Sequence, residues 1–156
     1  MRVFDFVIIG RNVSAMSAAI YAAMSNRSTL YISCPSEVHS AEGVNRYLGF
    51  KDGSYKVFHE KVSNQLSRFS MDRLDEDVHK IIHGKQGTLV VTNNETISAK
   101  SVIVSTAEVS RLVEGADSAP VFLCGSALSG VQQKELVALA GTGVMAAIDA
   151  RLALTN

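Results

Sequence analysis

The stretch VFDFVIIGRNVSA, residues 3–15, decides how this chain folds. An apolar run, 3–9, ends at a glycine, and an alanine-rich segment follows with its apolar residues at helical spacing. A second apolar run, 29–32, comes next. Strand, tight turn, helix and strand in this order predict a βαβ unit, whose crossover connection makes the two strands parallel.

The turn of this unit carries part of a phosphate-binding fingerprint. Proteins that bind dinucleotides have the pattern G-x-G-x-x-G here, and Gly10 occupies its first position. Asn12 and Ala15 stand at the other two glycine positions, while Arg11 and Ser14 fill variable ones. The pattern therefore predicts the architecture of a dinucleotide-binding domain with an altered ligand-contacting turn.

Composition indicates one soluble domain. The chain has 156 residues, of which 47% are hydrophobic, and Lys+Arg and Asp+Glu both number 15. A balanced charge argues against a nucleic-acid-binding surface, which needs clustered positive residues. The apolar runs are shorter than the roughly 20 residues that span a bilayer, and no secretory leader is evident. We expect a cytoplasmic protein, with residues 1–156 forming one domain.

Cysteine and histidine positions predict neither a disulfide nor a metal site. Cys34 and Cys124 each end a predicted strand. If both strands flank the first one, they lie roughly 10 Å apart, beyond the ~7 Å that a disulfide allows between α-carbons, so free thiols are expected. His79 and His83 lie on strand-like sequence without a third ligand nearby. His59 is expected on a helix surface.

In the remaining segments, the spacing of apolar residues alternates between helix-like and strand-like. Breakers indicate a long loop over 34–54, and 55–69 has an approximate helical stripe. Short apolar runs between turn residues then predict a meander of three antiparallel strands near 77–99, with a return strand at 101–106. A polar connector, 107–120, precedes a strand at 121–124 and a helix at 133–154. The apolar faces predicted for the two helices are Val57, Val62, Leu66 and Phe69, and Leu136, Ala140, Val144, Ala147 and Ile148.

Five blocks in this order resemble the FAD domain of thioredoxin reductase, within the pyridine nucleotide-disulfide oxidoreductases. The blocks are DFVIIGRNVSAMSAAIYAAMSNRSTLYI, NRYLGF, SVIVSTA, PVFLCGS and AGTGVMAAIDARLAL. The resemblance implies a Rossmann-like α/β fold, a parallel sheet flanked by helices with an antiparallel β-meander attached. It also implies FAD as the cofactor that the fold would accommodate.

The second half of the family's chemistry has no counterpart in this sequence. The family inserts an NADPH domain with a C-x-x-C disulfide between its Ala-Thr-Gly strand and its Gly-Asp motif, and here the connector 107–119 takes that place. Hydride donor site and redox dithiol are both missing. We therefore expect no catalytic residues and no disulfide reductase activity from this chain by itself.

The family's contacts to the adenosine half of FAD are altered. Asn12 adds a side chain where glycine lets backbone approach the pyrophosphate, whereas Ala15 in place of the third glycine costs little. Ser33 stands where an acidic residue would bind the ribose. The resemblance thus predicts weak or absent FAD binding.

The remaining carried-over positions have changed as well. Arg46 replaces the loop asparagine, although Tyr47 keeps the aromatic residue, and Ser126 replaces the acid of the Gly-Asp motif. Lys134–Glu135 corresponds to the Arg-Gln pair before the last helix. The candidates for cofactor binding are Gly10, Arg11, Asn12, Ser14, Ala15, Ser33, Arg46, Tyr47, Thr106, Gly125, Ser126 and Lys134.

Three functions fit these observations. The chain is a structural or interaction module with a degenerate flavin site, a small flavoprotein reduced by a partner, or a site re-tuned for another phosphorylated nucleotide. The third is suggested by three basic residues near the expected phosphate region, Arg11, Arg46 and Lys134. Because the family pairs through its FAD domains, a homodimer is also expected, and a protein partner could cover 107–120.

Overall fold

The computed structural model describes residues 1–38, 42–115, 121–128 and 135–154. The strands are β1 (Val3–Ile9), β2 (Thr29–Ser33), β3 (Gly43–Val44), β4 (Gly53–Ser54), β5 (Asp72–Asp75), β6 (Val78–Gly84), β7 (Gly87–Thr92), β8 (Thr96–Val104), β9 (Val113–Glu114) and β10 (Val121–Leu123). The helices are α1 (Val13–Ala23), α2 (Tyr55–Leu66), α3 (Ala107–Ser110) and α4 (Leu136–Leu154), with a 3₁₀ turn at Gly125–Ala127.

In the described ranges, eight of the strands form one mixed sheet with β1 near its centre. The order is β5-β2-β1-β8-β7-β6-β9, and β10 also pairs with β8. β1 is parallel to β2 and to β8, and β10 is parallel to the second half of β8, whereas β7 is antiparallel to its first half. The predicted fold class, a Rossmann-like parallel sheet with an attached meander, is confirmed.

The two faces of β1 are both covered, which explains its uninterrupted apolar sequence. Phe6 and Ile8 pack with residues of α1 and α4 on one face. Val7 and Ile9 pack on the other face with apolar residues of the meander. All four side chains are fully buried. The domain is thus layered as helices, parallel sheet and meander.

Helices α1 and α4 pack closely enough to need a glycine. A Cβ added to Gly143 would lie 2.0 Å from the backbone oxygen of Ser14, whereas one added to Gly141 would meet no atom within 4 Å. The buried face of α4 is therefore made of small residues, and the predicted face was partly wrong, since Ile148 is exposed. The buried residues are Ala140, Gly143, Ala146, Ala147 and Ala150.

Further differences from the predictions lie outside the βαβ unit. The buried face of α2 consists of Tyr55, Phe58 and Leu66, while Val57 is exposed. The return strand is not separate, because β8 runs unbroken from the meander into the parallel sheet. Strand β5, parallel to β2, was not predicted, since its sequence DRLD carries no apolar run.

The thiols are free and buried, as predicted. The geometric reason differs from the expected one, because β8 separates β1 from β10, so that Cys34 and Cys124 follow strands that do not both flank β1. Burial raises the pKa of each thiol to about 12. Neither is a thiolate near neutral pH, so neither is a ready nucleophile.

Within the described part of the chain, one helix, α4, is long and apolar enough to cross a membrane by length and composition. A core helix of a soluble protein passes the same test; in α4, 28% of the apolar window is buried, on the face that packs against α1 and the sheet. The cytoplasmic location stays a prediction.

Candidate functional site

A cleft of about 1040 Å³ opens at the carboxyl ends of the parallel strands. Ligands of open α/β sheets bind at this edge, and the volume suits a nucleotide-sized molecule. Of the predicted site residues, those that line the cleft are Asn12, Ser14, Arg46, Tyr47, Thr106, Gly125 and Ser126. Gly10, Arg11, Ala15 and Ser33 do not line it, and Lys134 lies outside the described residues.

Gly10 makes the turn between β1 and α1 with a backbone φ of 144°. This conformation favours glycine, and an added Cβ would lie 1.8 Å from Ser105 Oγ. The Ser105 hydroxyl donates to the carbonyl of Ile9 at 2.9 Å. The first fingerprint glycine is therefore required by packing within the domain.

Asn12 caps helix α1. Its Oδ1 accepts a hydrogen bond from Ala15 N at 3.1 Å, as is typical of an asparagine at this position. Its Nδ2 donates to Ser105 Oγ at 2.9 Å and to Glu37 Oε2 at 3.1 Å. The side chain predicted to obstruct the pyrophosphate region is held there by three hydrogen bonds.

Glu37, which the sequence analysis did not single out, completes this end of the helix. Its Oε2 also accepts a hydrogen bond from Arg11 N at 3.0 Å, while its Oε1 is buried without a hydrogen-bond partner in the described ranges. Glu37 N donates to Cys34 O, which closes a tight turn directly after β2. Pro35 was the sequence signal for this turn, because proline favours its second position.

Burial raises the pKa of the Glu37 carboxyl, and the hydrogen bonds from Arg11 N and Asn12 oppose this change. A pKa raised by folding adds stability that is fully present below the unfolded-state value and is lost as pH rises through the folded-state value. The ordinary value is 4.5. Relative to the wild type, Glu37→Gln should therefore gain free energy of unfolding as pH rises from below 4.5 through the raised pKa of Glu37.

Urea denaturation of both proteins across this pH range measures the difference directly. The other titrating groups are the same in both proteins, so their contributions to the pH dependence cancel in the difference. A difference that stays constant over the whole range would contradict this prediction.

The turn after β10 is held against both long helices. Gly125 has a φ of +55°, and its N donates to Thr142 Oγ1 at 2.9 Å. Ser14 Oγ and Thr142 Oγ1 both donate to the carbonyl of Leu139. Ser126 Oγ accepts a hydrogen bond from Ala107 N at 3.3 Å. Ser14, Gly125 and Ser126, which were predicted as cofactor contacts, therefore form hydrogen bonds with other residues of the protein.

The loop before α2 supplies an aromatic wall. Tyr47 packs on Phe58 with ring centroids 4.8 Å apart. Arg46 forms an exposed ion pair with Glu135 at 2.8 Å. His59, predicted on the helix surface, is partly exposed, and its Nε2 lies 2.9 Å from the carbonyl oxygen of Arg11, a contact that the sequence did not predict. His59 tethers α2 to the turn after β1.

Charge in the cleft is strongly negative. Among the described lining residues, five carry carboxylates and one carries a guanidinium, so the formal charge is minus four with histidine neutral. The single guanidinium, that of Arg46, is already paired. The carboxylates belong to Glu37, Glu42, Asp77, Glu108 and Glu135.

Comparison with curated proteins finds similarity to thioredoxin reductases. The enzyme of Bacillus subtilis (strain 168) is 27% identical over 107 residues, which cover 67% of this chain and 34% of that protein. The enzyme of Listeria innocua is 28% identical over 109 residues with the same coverage. The chain spans about a third of the length of these relatives. No protein-family model matches it.

Solved structures give the same result. The thioredoxin reductase of T. acidophilum is 29% identical with a TM-score of 0.60, over 68% of this chain and 36% of that one. The thioredoxin reductase of Streptococcus pyogenes MGAS5005 is 28% identical with a TM-score of 0.61, over 67% and 35%.

The fold and the position of the cleft are those of a Rossmann-like α/β domain. Within that class, the chain is similar in sequence and structure to the FAD-domain part of thioredoxin reductases, as its motifs predicted.

Proposed function

We propose that this chain is a thioredoxin-reductase-like FAD-domain protein that no longer holds FAD tightly and acts as a non-catalytic interaction module. The observation that carries the proposal is the charge of the described cleft lining, in which five carboxylates face one paired guanidinium. The diphosphate of FAD is anionic, so this lining opposes its binding. The residues present therefore do not fit the cofactor that the fold implies.

The same charge balance argues against a site re-tuned for another phosphorylated nucleotide. Arg46 pairs with Glu135, and the backbone N of Arg11 binds the carboxylate of Glu37. The charge of Arg46 is thus engaged with one acid, and the backbone donor of Arg11 is engaged with another. A small flavoprotein remains the second candidate, because the cleft is wide enough for a dinucleotide.

Titration with FAD tests the proposal. Weakening two charge-assisted hydrogen bonds, at Ser33 and Ser126, removes roughly 3–6 kcal/mol, which weakens a nanomolar site by about two to four decades. We expect a colourless purified protein and, by flavin fluorescence or calorimetry, a Kd of about 0.1–10 µM or weaker.

Restoration of the family's residues provides the comparison. The variant Asn12→Gly, Ser33→Glu, Ser126→Asp should bind FAD more tightly if these positions correspond to those of the family. Equal affinity would show that the correspondence is mistaken. Stoichiometric binding by the wild type below about 100 nM would favour the flavoprotein instead.

A homodimer is proposed as the working assembly. The outward face of α4 exposes large apolar side chains, with Val137 44%, Met145 66% and Ile148 39% exposed. An apolar face left uncovered on a helix is typical of an interface. By light scattering we expect a mass about twice the 16.7 kDa of the chain.

Met145→Glu should shift the dimer toward monomer, because it places a charge in the apolar face. Gln65→Glu, on the exposed side of α2, adds the same charge elsewhere and should leave the mass unchanged. A wild-type monomer at micromolar concentration would overturn the proposal.

A further inference from the structure

We propose that Glu37 is an intramolecular ligand of the turn that leads into α1 and excludes phosphate groups from the cleft. This inference deepens the proposed function and rests on it. Glu37 thereby determines specificity, leaving the cleft to ligands without a phosphate.

The contacts of the carboxylate carry the first step. In dinucleotide-binding folds the pyrophosphate lies at the N-terminus of the first helix, where backbone N–H groups point outward. Here Glu37 Oε2 accepts from Arg11 N at 3.0 Å and from Asn12 Nδ2 at 3.1 Å. A carboxylate oxygen of the protein already binds this turn. A phosphate would find both donors occupied, and the negative charge of Glu37 would repel it.

The carboxylate is held in this place by the loop that bears it. Glu37 N donates to Cys34 O at 3.1 Å. The neighbouring Ser36 donates from its backbone N to Asp77 Oδ1 at 3.1 Å, and its hydroxyl also bonds to Asp77. The loop is thus tied both to the end of β2 and to the segment before β6, so Glu37 is positioned before any ligand arrives.

The buried oxygen makes a purely stabilising role a poor explanation. Glu37 Oε1 is buried and accepts no hydrogen bond from the residues that the structure describes. A buried polar atom without a partner is costly, and native proteins contain few of them. Exclusion of phosphate gives this costly placement a function that helix capping does not require, because Asn12 already caps α1.

Three variants distinguish occupation of the turn by Glu37 from the general negative charge of the cleft. Glu37→Ala removes both the carboxylate and its occupation of the turn, and Glu37→Gln removes the charge while keeping the size. Glu108→Gln is the matched control, because it removes a carboxylate that lines the same cleft and acts electrostatically on Glu37. The hydrogen bonds from Arg11 N and Asn12 Nδ2, in contrast, are accepted by Glu37. Binding of FAD and of inorganic pyrophosphate is measured by calorimetry for all three and for the wild type.

We expect Glu37→Ala to bind both probes at least about tenfold more tightly than the wild type, which corresponds to one regained charge-assisted hydrogen bond. Glu37→Gln should gain less, and Glu108→Gln less than about threefold. If Glu37→Ala does not fold, Glu37→Gln provides the test, because its gain in affinity must still exceed that of Glu108→Gln.

The outcomes distinguish the two proposals. Equal gains for the Glu37 and Glu108 variants would overturn the inference, because charge in general would then explain exclusion. Weak binding by the wild type and by every variant would overturn it as well, while leaving the proposed function intact. Tight FAD binding by the wild type would overturn the proposed function itself.

Discussion

Gly143→Ala should destabilise the fold by more than about 3 kcal/mol, because there is no room for one methyl group between α1 and α4. The new Cβ would lie 2.0 Å from Ser14 O, 2.9 Å from Ser14 C and 3.1 Å from Ala18 N. All three atoms belong to the backbone of α1, so no side-chain rotation relieves the clash. The two helices would have to separate.

Gly141→Ala is the matched control, since it makes the same substitution two positions away in the same helix. A Cβ there meets no atom within 4 Å, and alanine favours a helix over glycine by about 0.8–1 kcal/mol. The control should therefore be slightly more stable than the wild type. Urea denaturation measures both values, and equal effects of the two substitutions would refute the close packing of α1 and α4.

Gly10→Ala should likewise cost more than about 3 kcal/mol, from steric overlap added to backbone strain. The new Cβ would lie 1.8 Å from Ser105 Oγ and 3.0 Å from Ala15 Cβ, at a φ of +144° that L-residues rarely adopt. Ser105 cannot rotate freely, because its hydroxyl bonds to Ile9 O and to Asn12.

Gly49→Ala isolates the strain from the overlap. Gly49 has a φ of +90° but no atom within 4 Å of an added Cβ, so this variant should lose only about 1–2 kcal/mol. Adding Ser105→Ala to Gly10→Ala should recover part of the larger loss. If Gly10→Ala and Gly49→Ala are equally stable in thermal and urea denaturation, the clash does not exist.

The βαβ unit was predictable because burial leaves a clear record in its sequence. Both faces of β1 are covered, and its unbroken apolar run therefore indicated a strand buried on both faces. Helix α4 carries apolar residues all round, so its period could not show which face packs, and the close approach at Gly143 selected the small residues. Strand β5 is a charged edge strand that owes its place to pairing with β2.

The sequence predicted where the cleft lies but did not predict its negative charge. The motifs located its rim, since the carboxyl ends of parallel strands meet at one edge. The contact between Glu37 and Arg11 joins two loops across 26 residues, and no local pattern reports it. The acids that surround the cleft are likewise brought together from separate elements. Charge at the site is a property of the tertiary structure.

Strand β8 explains how such a fold tolerates large changes in chain length. Its edge away from β1 is shared, with β7 along the first half and β10 along the second. The pairing of β10 depends on register with β8 and not on what connects the two strands. Since each doubling of a loop adds only about 0.6 kcal/mol of closure cost, a whole module inserted after Glu114 would leave the pairing of β8 with β10 and of β6 with β9 intact.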